Sequence, residues 1–429
     1  MTPESGSQGT APDRNGHTVI GAGAAARQVA ARHSRGRLWL AGFQAATVVA
    51  IVALAALVYN VTSNSMGLIA YTVAVDAATL TAEGVSVKEM RRDEMVRILE
   101  SRLSAQRLRV LDVQGPLAQR SHGELSRILE REVIRPKVVR SFGALESVFR
   151  RAEIEAQVGR EHPDARLTWR RWWDWQFVTS PQSSYPEFAG IRTAILGSLW
   201  MIAITVAVAM PVGVAAGIYL EEYADRGRRI NQLIQTNINN LAGVPSIIYG
   251  ILGLTVFVRA LEPLTSGAAL GLTDPTTANG RTILSAGLTM ALLVLPVIII
   301  TTQESVRTVP PSMREASFGL GATRWQTVRH HVLPYALPGI LTGAILSVSR
   351  ALGETAPLVV VGASTFITTD PTGPFSKFTV LPMQVYQWTS RPQDTFRDIA
   401  AAAIIVLLVL LLLLNSVAIV LRNRYTVRY

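Results

Sequence analysis

Apolar residues in this chain are gathered into long runs nearly free of charge, separated by segments dense in Arg and Glu. The run from Leu38 to Asn60 carries no charged residue and is long enough to cross a bilayer core of about 30 Å. Five more follow at about 191–220, 233–258, 282–303, 335–361 and 399–421. Together they predict an all-α integral membrane protein with six transmembrane helices. The first, at 37–61, is too long for the apolar region of a cleaved signal peptide and reads as an anchor. Residues 1–36 before it are rich in Gly, Ala and Ser, bury no core and are expected to form a disordered cytoplasmic tail. Pro211 and Gly213, Gly243 and Pro245, Pro296, and Pro357 interrupt later runs. Such breaks are tolerated at membrane depth where neighbouring helices or a water-filled path satisfy the freed backbone. The last run is almost purely aliphatic and predicts a peripheral, lipid-facing helix.

Residues 62–190 have a different pattern. In "VKEMRRDEMVRILESRLSAQ" and "HGELSRILEREVIRPKVVRSFGALESVFRRAEIEA", Leu, Val and Ile recur every three or four positions beside mixed acidic and basic residues. A mainly helical extracytoplasmic insert between helices 1 and 2 is expected. Trp169, Trp172, Trp173 and Trp175 then approach the next run with Arg neighbours, a composition suited to the headgroup level. Basic residues set the orientation. Arg27, Arg32, Arg35 and Arg37 precede the first run; Arg226, Arg228 and Arg229 lie between the second and third; Arg307, Arg314, Arg324 and Arg329 lie between the fourth and fifth; Arg422, Arg424 and Arg428 follow the last. Six crossings from a cytoplasmic N-terminus place all four groups inside, obeying the positive-inside bias, with the core at 191–422 and a cytoplasmic tail at 423–429.

Composition narrows the chemistry. Only 17% of the 429 residues are charged, against about a quarter in soluble domains. There is no cysteine, hence no disulfide framework and no thiolate site. The net charge of +11 flanks apolar runs, which points to a lipid bilayer and not to nucleic acid. No phosphate-binding Gly-rich loop occurs, so no ATP site is expected in this chain; His330 and His331 are adjacent, not at metal-ligand spacing. No cofactor, metal or catalytic constellation is expected, and the chain reads as a non-enzyme.

The 304–331 loop is too long and too patterned for a simple connector. Pro310 and Pro311 stop the preceding helix. Ser312 and Glu315 fit a capping box, Gly319 and Gly321 end that helix, and Thr323 with Gln326 caps a second running to His331, before Leu333-Pro334 opens the next crossing. The segment "REASFGLGATRWQTVRHHVLP" resembles the EAA coupling loop of ATP-binding-cassette importer permeases, with Glu315, Ala316, Gly321, Leu333 and Pro334 matching. Ser317 stands for the second Ala, and His331 stands where an aliphatic residue is usual. The resemblance implies a type I permease core of five helices plus the N-terminal one. It also implies that the first loop helix docks into a partner ATPase, which holds ATP and Mg. Without the family, Glu315 reads as a helix cap.

Two further segments, "NNLAGVPSIIYGILG" and "SVSRALGETAPLVVVGA", resemble phosphate-transport permeases of the PstA type over roughly 190–429, in a long form carrying an extra outer domain. Arg350 and Glu354 sit four apart within an apolar run, where charge is costly and faces a polar cavity or a partner. The Arg guanidinium offers fixed donors that match a tetrahedral oxyanion; the pair also fits an ion bridge that only orients the helix. Ser347, Ser349, Thr355 and Ser364 suit helix–helix contacts, with Thr355 beside the anion path, and Asn239, Asn240 and Ser246 beside Pro245 suit a discontinuous helix lining that path. The resemblance therefore implies a subunit of an inorganic phosphate importer in the bacterial cytoplasmic (inner) membrane, with both termini cytoplasmic. Its implied partners are a second phosphate permease, an ATPase dimer and an extracytoplasmic phosphate-binding protein. Import of another oxyanion or small solute, and a phosphate-sensing or assembly role for a permease-like core, are the alternatives.

Overall fold

The structure is a computed structural model that describes residues 22–76, 79–80, 87, 89–113, 115–225, 227–272, 280–364 and 366–424. Arg226, Arg428 and residues 1–21 of the expected tail lie outside them. Residues up to Asn60 form one unit and Val61–Tyr429 a second. The first unit is helical from Ala22, in α1 (Ala22–Asn64), so residues 22–36 form its first turns rather than a disordered stretch. Its side chains are exposed from Gly36 to Asn60.

The second unit opens with three strands, β1 (Met66–Thr72), β2 (Lys137–Ser141) and β3 (Arg166–Arg171), paired antiparallel in the order β2-β1-β3. This sheet was not expected, although helices still make up most of the insert's regular structure. The pairing is non-local, joining Ile69 to Ser141 and to Thr168, and no short-range turn announces it. Side chains of β1 alternate between two cores: Leu68 and Ala70 pack with Phe142, Ile154 and Val158, while Ile69 packs with Trp172, Phe177 and Trp388. Trp172 is thus core, with the Arg170 guanidinium 4.4 Å above its ring, and only Trp169, Trp173 and Trp175 remain exposed for an interfacial role.

The expected helices of the insert are present as α2 (Arg92–Arg102), α3 (Ala105–Val113), α4 (His122–Leu129), α5 (Ala144–Phe149) and α6 (Arg151–Glu161). Met95, Ile98 and Leu99 of α2 meet Leu125, Ile128 and Leu129 of α4, each triplet on one helical face, and with Leu111 they close a core separate from the sheet. Ser121 and Glu124 form a reciprocal capping box that starts α4. A short helix, α7 (Trp175–Thr179), leads out of the insert.

Among the described residues, five helices are long and apolar enough to span a membrane, and a bent pair supplies a sixth span if counted as one. Besides α1 they run through α8 (Arg192–Ile218), α12 (Ile283–Arg307), α15 (Leu333–Gly353) and α18 (Asp394–Arg424). The pair is α9 (Arg229–Ala242) and α10 (Ser246–Gly253), bent by 107° at Gly243–Pro245, where a break was expected. The Tyr249 hydroxyl donates to the Leu241 carbonyl at 2.7 Å and ties the two sides of the bend. The connections contain α11 (Glu262–Thr265), α13 (Pro311–Gly319), α14 (Arg324–Thr327), α16 (Ala356–Val361) and α17 (Leu381–Thr389).

Buried residues run the length of α12, which packs on α8, α10 and α15. Small residues allow the close approach: a Cβ at Gly213 would lie 2.6 Å from the Ile298 side chain, and one at Gly343 2.2 Å from Thr301 Oγ1. α18 is only partly the expected lipid-facing helix. Phe396 and Ile399–Ala403 are buried, and exposed Leu and Val follow from Leu408.

Candidate functional site

The loop before α15 folds as a helix–turn–helix, but its first cap differs from the expected one. α13 starts at Pro311, with Pro310 at the N-cap and no side-chain cap, so Ser312 lies inside the first turn and the Ser312–Glu315 box is absent. Proline at the first helical position needs no N–H, so the ring does the starting work. Glu315 is thereby exposed and makes no hydrogen bond or ion pair among the described residues. Gly321 adopts φ +81°, and the N–H groups of Gly321 and Ala322 close the helix end on Phe318 and Ser317 carbonyls. The second box is as expected: Thr323 Oγ1 accepts from the Gln326 N–H, and Gln326 Oε1 accepts from the Thr323 N–H at 2.8 Å. Ser317 turns out to be informative. Its hydroxyl meets Thr327 Oγ1 at 2.9 Å, both residues buried, and so joins α13 to α14.

The second helix does not stop at His331. A π-turn at Val328–Val332 joins α14 to α15, and the chain from Arg324 to Gly353 is one helix of 30 residues. Pro334 has no N–H for the His330 carbonyl, and the Leu333 N–H reaches back five residues to Val328 O. Leu333 and Pro334 therefore mark a change of helical register inside the helix, not its beginning. His331 is exposed.

An ion-pair clamp absent from the sequence reading holds this unit. A π-turn at Tyr219–Tyr223 extends α8 and carries Glu221 and Glu222. Arg314 of α13 donates from Nε and Nη2 to one Glu222 oxygen at 3.0 and 2.7 Å, and to the carbonyls of Val309 and Val306. Arg307 donates to Glu221 at 2.9 Å. The usable signal was the acidic pair itself, at a helix end where the positive-inside bias leads one to expect cations.

A second set of expected residues gathers around two helix breaks. Gly353 ends α15, Glu354 is extended, and Thr355 precedes α16, so Arg350 and Glu354 straddle a break instead of sharing one helix face. The two side chains still meet, at 3.4 Å, with Arg350 41% and Glu354 24% exposed. α16 packs on α10 so closely that a Cβ at Gly250 would lie 2.7 Å from Pro357 Cα. Ser246 starts α10 at the other break, and Tyr249, one turn on, is within electrostatic range of Arg350. Asn239 joins an amide network: Gln235 donates to Asn239 Oδ1 and exchanges hydrogen bonds with buried Gln303 of α12. Asn240 is exposed near the bend, and its carbonyl accepts the Gly243 N–H. Ser347 bonds the Gly343 carbonyl of its own helix, whereas Ser349 reaches Asn415 of α18 at 2.8 Å and so joins two helices.

The family described as the inner membrane component of binding-protein-dependent transport systems matches residues 209–427. A probable ABC transporter permease protein of Bacillus subtilis, YqgI, is 35% identical over 43% of this chain and 57% of its own length. The phosphate transport system permease protein PstA 1 of Mycobacterium tuberculosis H37Rv is 32% identical over 52% of this chain and 65% of its own. The chain spans about three fifths of the length of these curated relatives. Among solved structures, a bacterial ABC transporter involved in import of the acidic polysaccharide alginate aligns with a TM-score of 0.44 and 19% identity, covering 66% of this chain and 92% of that one.

Proposed function

Because this chain belongs to the family of inner membrane components of binding-protein-dependent transport systems, we propose that it is the permease subunit of an ATP-driven importer of inorganic phosphate. The observation that carries the transport reading is the helix–turn–helix built into the end of a membrane-spanning helix. Glu315 is free, and Phe318, Leu320 and Trp325 are exposed beside it, Leu320 at 91%. Such apolar side chains on a rigid, capped projection suit docking into a groove of a partner ATPase. Hydrolysis, with ATP and Mg, is assigned to that partner, and this chain contributes no catalytic group.

Phosphate is supported by the similarity to phosphate permeases and by the chemistry of Arg350. Its guanidinium offers several fixed donors to a tetrahedral anion, and Glu354 at 3.4 Å competes for them, which keeps the anion releasable. Ser246, Thr355, Asn239 and Asn240 supply neutral polar groups along the path. A second permease would complete the path, an ATPase dimer would drive alternating access, and an extracytoplasmic binding protein would deliver phosphate. In this reading both termini face the cytoplasm of a bacterial cell. Another oxyanion is the second reading, since the coupling unit is indifferent to substrate.

Radiolabelled phosphate uptake by the reconstituted complex, with ATPase activity measured in parallel, tests both parts. Glu315→Ala is expected to separate hydrolysis from uptake, and Arg350→Ala to abolish uptake while hydrolysis continues. Full phosphate uptake by Arg350→Ala would sink the phosphate path; normal coupling in Glu315→Ala would sink the docking role.

A further inference from the structure

The insert and the start of α18 enclose a cleft with a free volume of about 420 Å³, inside the range of about 300–1,000 Å³ usual for small-molecule sites. Three cations line it, Arg131, Arg135 and Lys137, against one carboxylate, Glu187. Glu187 is partly committed, because one of its oxygens accepts the Val138 N–H at 3.0 Å. Arg131 is bound to Glu132, which also takes Arg107 at 2.7 Å. Burial works to push the Glu132 carboxyl up, but the two guanidinium groups outweigh it and hold Glu132 below the ordinary range, so it stays ionised and fixes the wall. Lys137 makes no ion pair among the described residues, and Arg135 uses only Nε, on the Glu132 carbonyl at 2.9 Å.

Arg135 is also the one non-glycine among the described residues with positive φ, at 49°. It follows the π-turn Glu130–Ile134, and its N–H closes that turn on the Glu130 carbonyl. Glycine is the residue such a position favours. Keeping an Arg there sets a cation at the rim of the cleft against local backbone preference. A second segment contributes Tyr185, Pro186 and Phe188 to the lining, and Pro136 lies between the two cations in sequence. Thr395 of α18 closes one side, about one helical turn before the buried apolar stretch that begins at Ile399.

We propose that this cleft is an anion site for a phosphate ester or free phosphate, separate from the Arg350 path. Arg135 and Lys137 bind the phosphate oxygens, the Tyr185 hydroxyl adds a donor, and the aromatic and proline wall takes whatever the phosphate carries. The phosphate has two possible sources, a phospholipid headgroup or phosphate in solution.

The test uses the full chain. In phospholipid-free detergent it is titrated with inorganic phosphate by ³¹P NMR. In nanodiscs of phosphatidylcholine alone, or with phosphatidylglycerol, retained lipid is counted by native mass spectrometry. Arg135→Gly removes the cation and relieves the left-handed backbone, so a loss of binding cannot be assigned to a strained fold. Combined with Lys137→Gln, it is expected to weaken phosphate binding, or retention of the anionic lipid, at least tenfold. Both experiments are run on the Arg350→Ala chain, so that phosphate held in the Arg350 path adds nothing to either signal. Binding in the first experiment alone identifies a soluble ligand, and retention in the second identifies a lipid. The proposal is overturned if the Arg350→Ala chain binds neither probe, or if adding Arg135→Gly with Lys137→Gln to it leaves both signals unchanged.

Discussion

The residues that shape the helix–turn–helix before α15 make separable contributions. Gly321 sits at φ +81° with open space around its Cα, so Gly321→Ala meets no clash and pays only for the left-handed backbone. A loss of about 1 kcal/mol is expected in thermal or denaturant unfolding, with a larger effect on coupling if the turn sets the angle between α13 and α14. Arg314 and Glu222 are different, being mostly out of solvent at 20% and 13% exposure. Removing either leaves the other poorly satisfied, and about 2–4 kcal/mol is expected for Glu222→Ala. The double variant with Arg314→Ala should lose less than the sum of the singles, by at least about 1 kcal/mol. Strict additivity in that cycle would show that the clamp does not hold α13. The clamp was not legible from spacing alone, because Glu222 and Arg314 are far apart in the chain and meet only through tertiary structure. Ser317 was visible, yet its role depends on Thr327, ten positions on and across a turn.

At the scale of elements, the apolar runs located every spanning segment, because a bilayer demands length and apolarity that nothing else in the chain imitates. The breaks at Gly243–Pro245 and before Pro357 were legible because proline removes a donor. Pro211 and Pro296, also expected to interrupt their runs, instead lie inside α8 and α12 without ending either helix. The sheet was not legible. β2 and β3 are short, β3 is half Arg, and their pairing with β1 is fixed by contacts between distant segments. Nor was the continuity of α14 with α15 legible, since Pro334 reads as a start signal and acts instead as the cause of a π-turn. Pro334→Ala restores the missing N–H and permits ordinary helical pairing. It is expected to rotate α14 against α15 by roughly 100°. Stability should hold, while phosphate moved per ATP hydrolysed falls; an unchanged ratio would mean that the register at this turn is immaterial.

For the whole molecule, the insert divides into a part woven into the core and a part that is not. Ile69, Trp172 and Phe177 share a core with Trp388 and Phe396, so excising 63–180 is expected to expose that core and prevent folding. The α2–α4 bundle has its own core, and its two ends are held together where the Ala74 N–H meets the Ile134 carbonyl at 2.9 Å. Replacing 75–133 by a short Gly/Ser linker should therefore leave a folded, monodisperse protein by size-exclusion chromatography and circular dichroism, and aggregation of that variant would show the bundle to be integral. The 30-residue helix from Arg324 to Gly353 has one more property. Gly339 and Gly343, close to its middle, rest on Ser305 and Thr301 of α12. A stiff beam about 45 Å long on a central fulcrum is a seesaw, and tilting it carries its two ends in opposite directions by similar amounts. A push at the Arg324 end would swing the Arg350 end the other way, so that under the proposed function one moving part would narrow one mouth of the path as it widens the other.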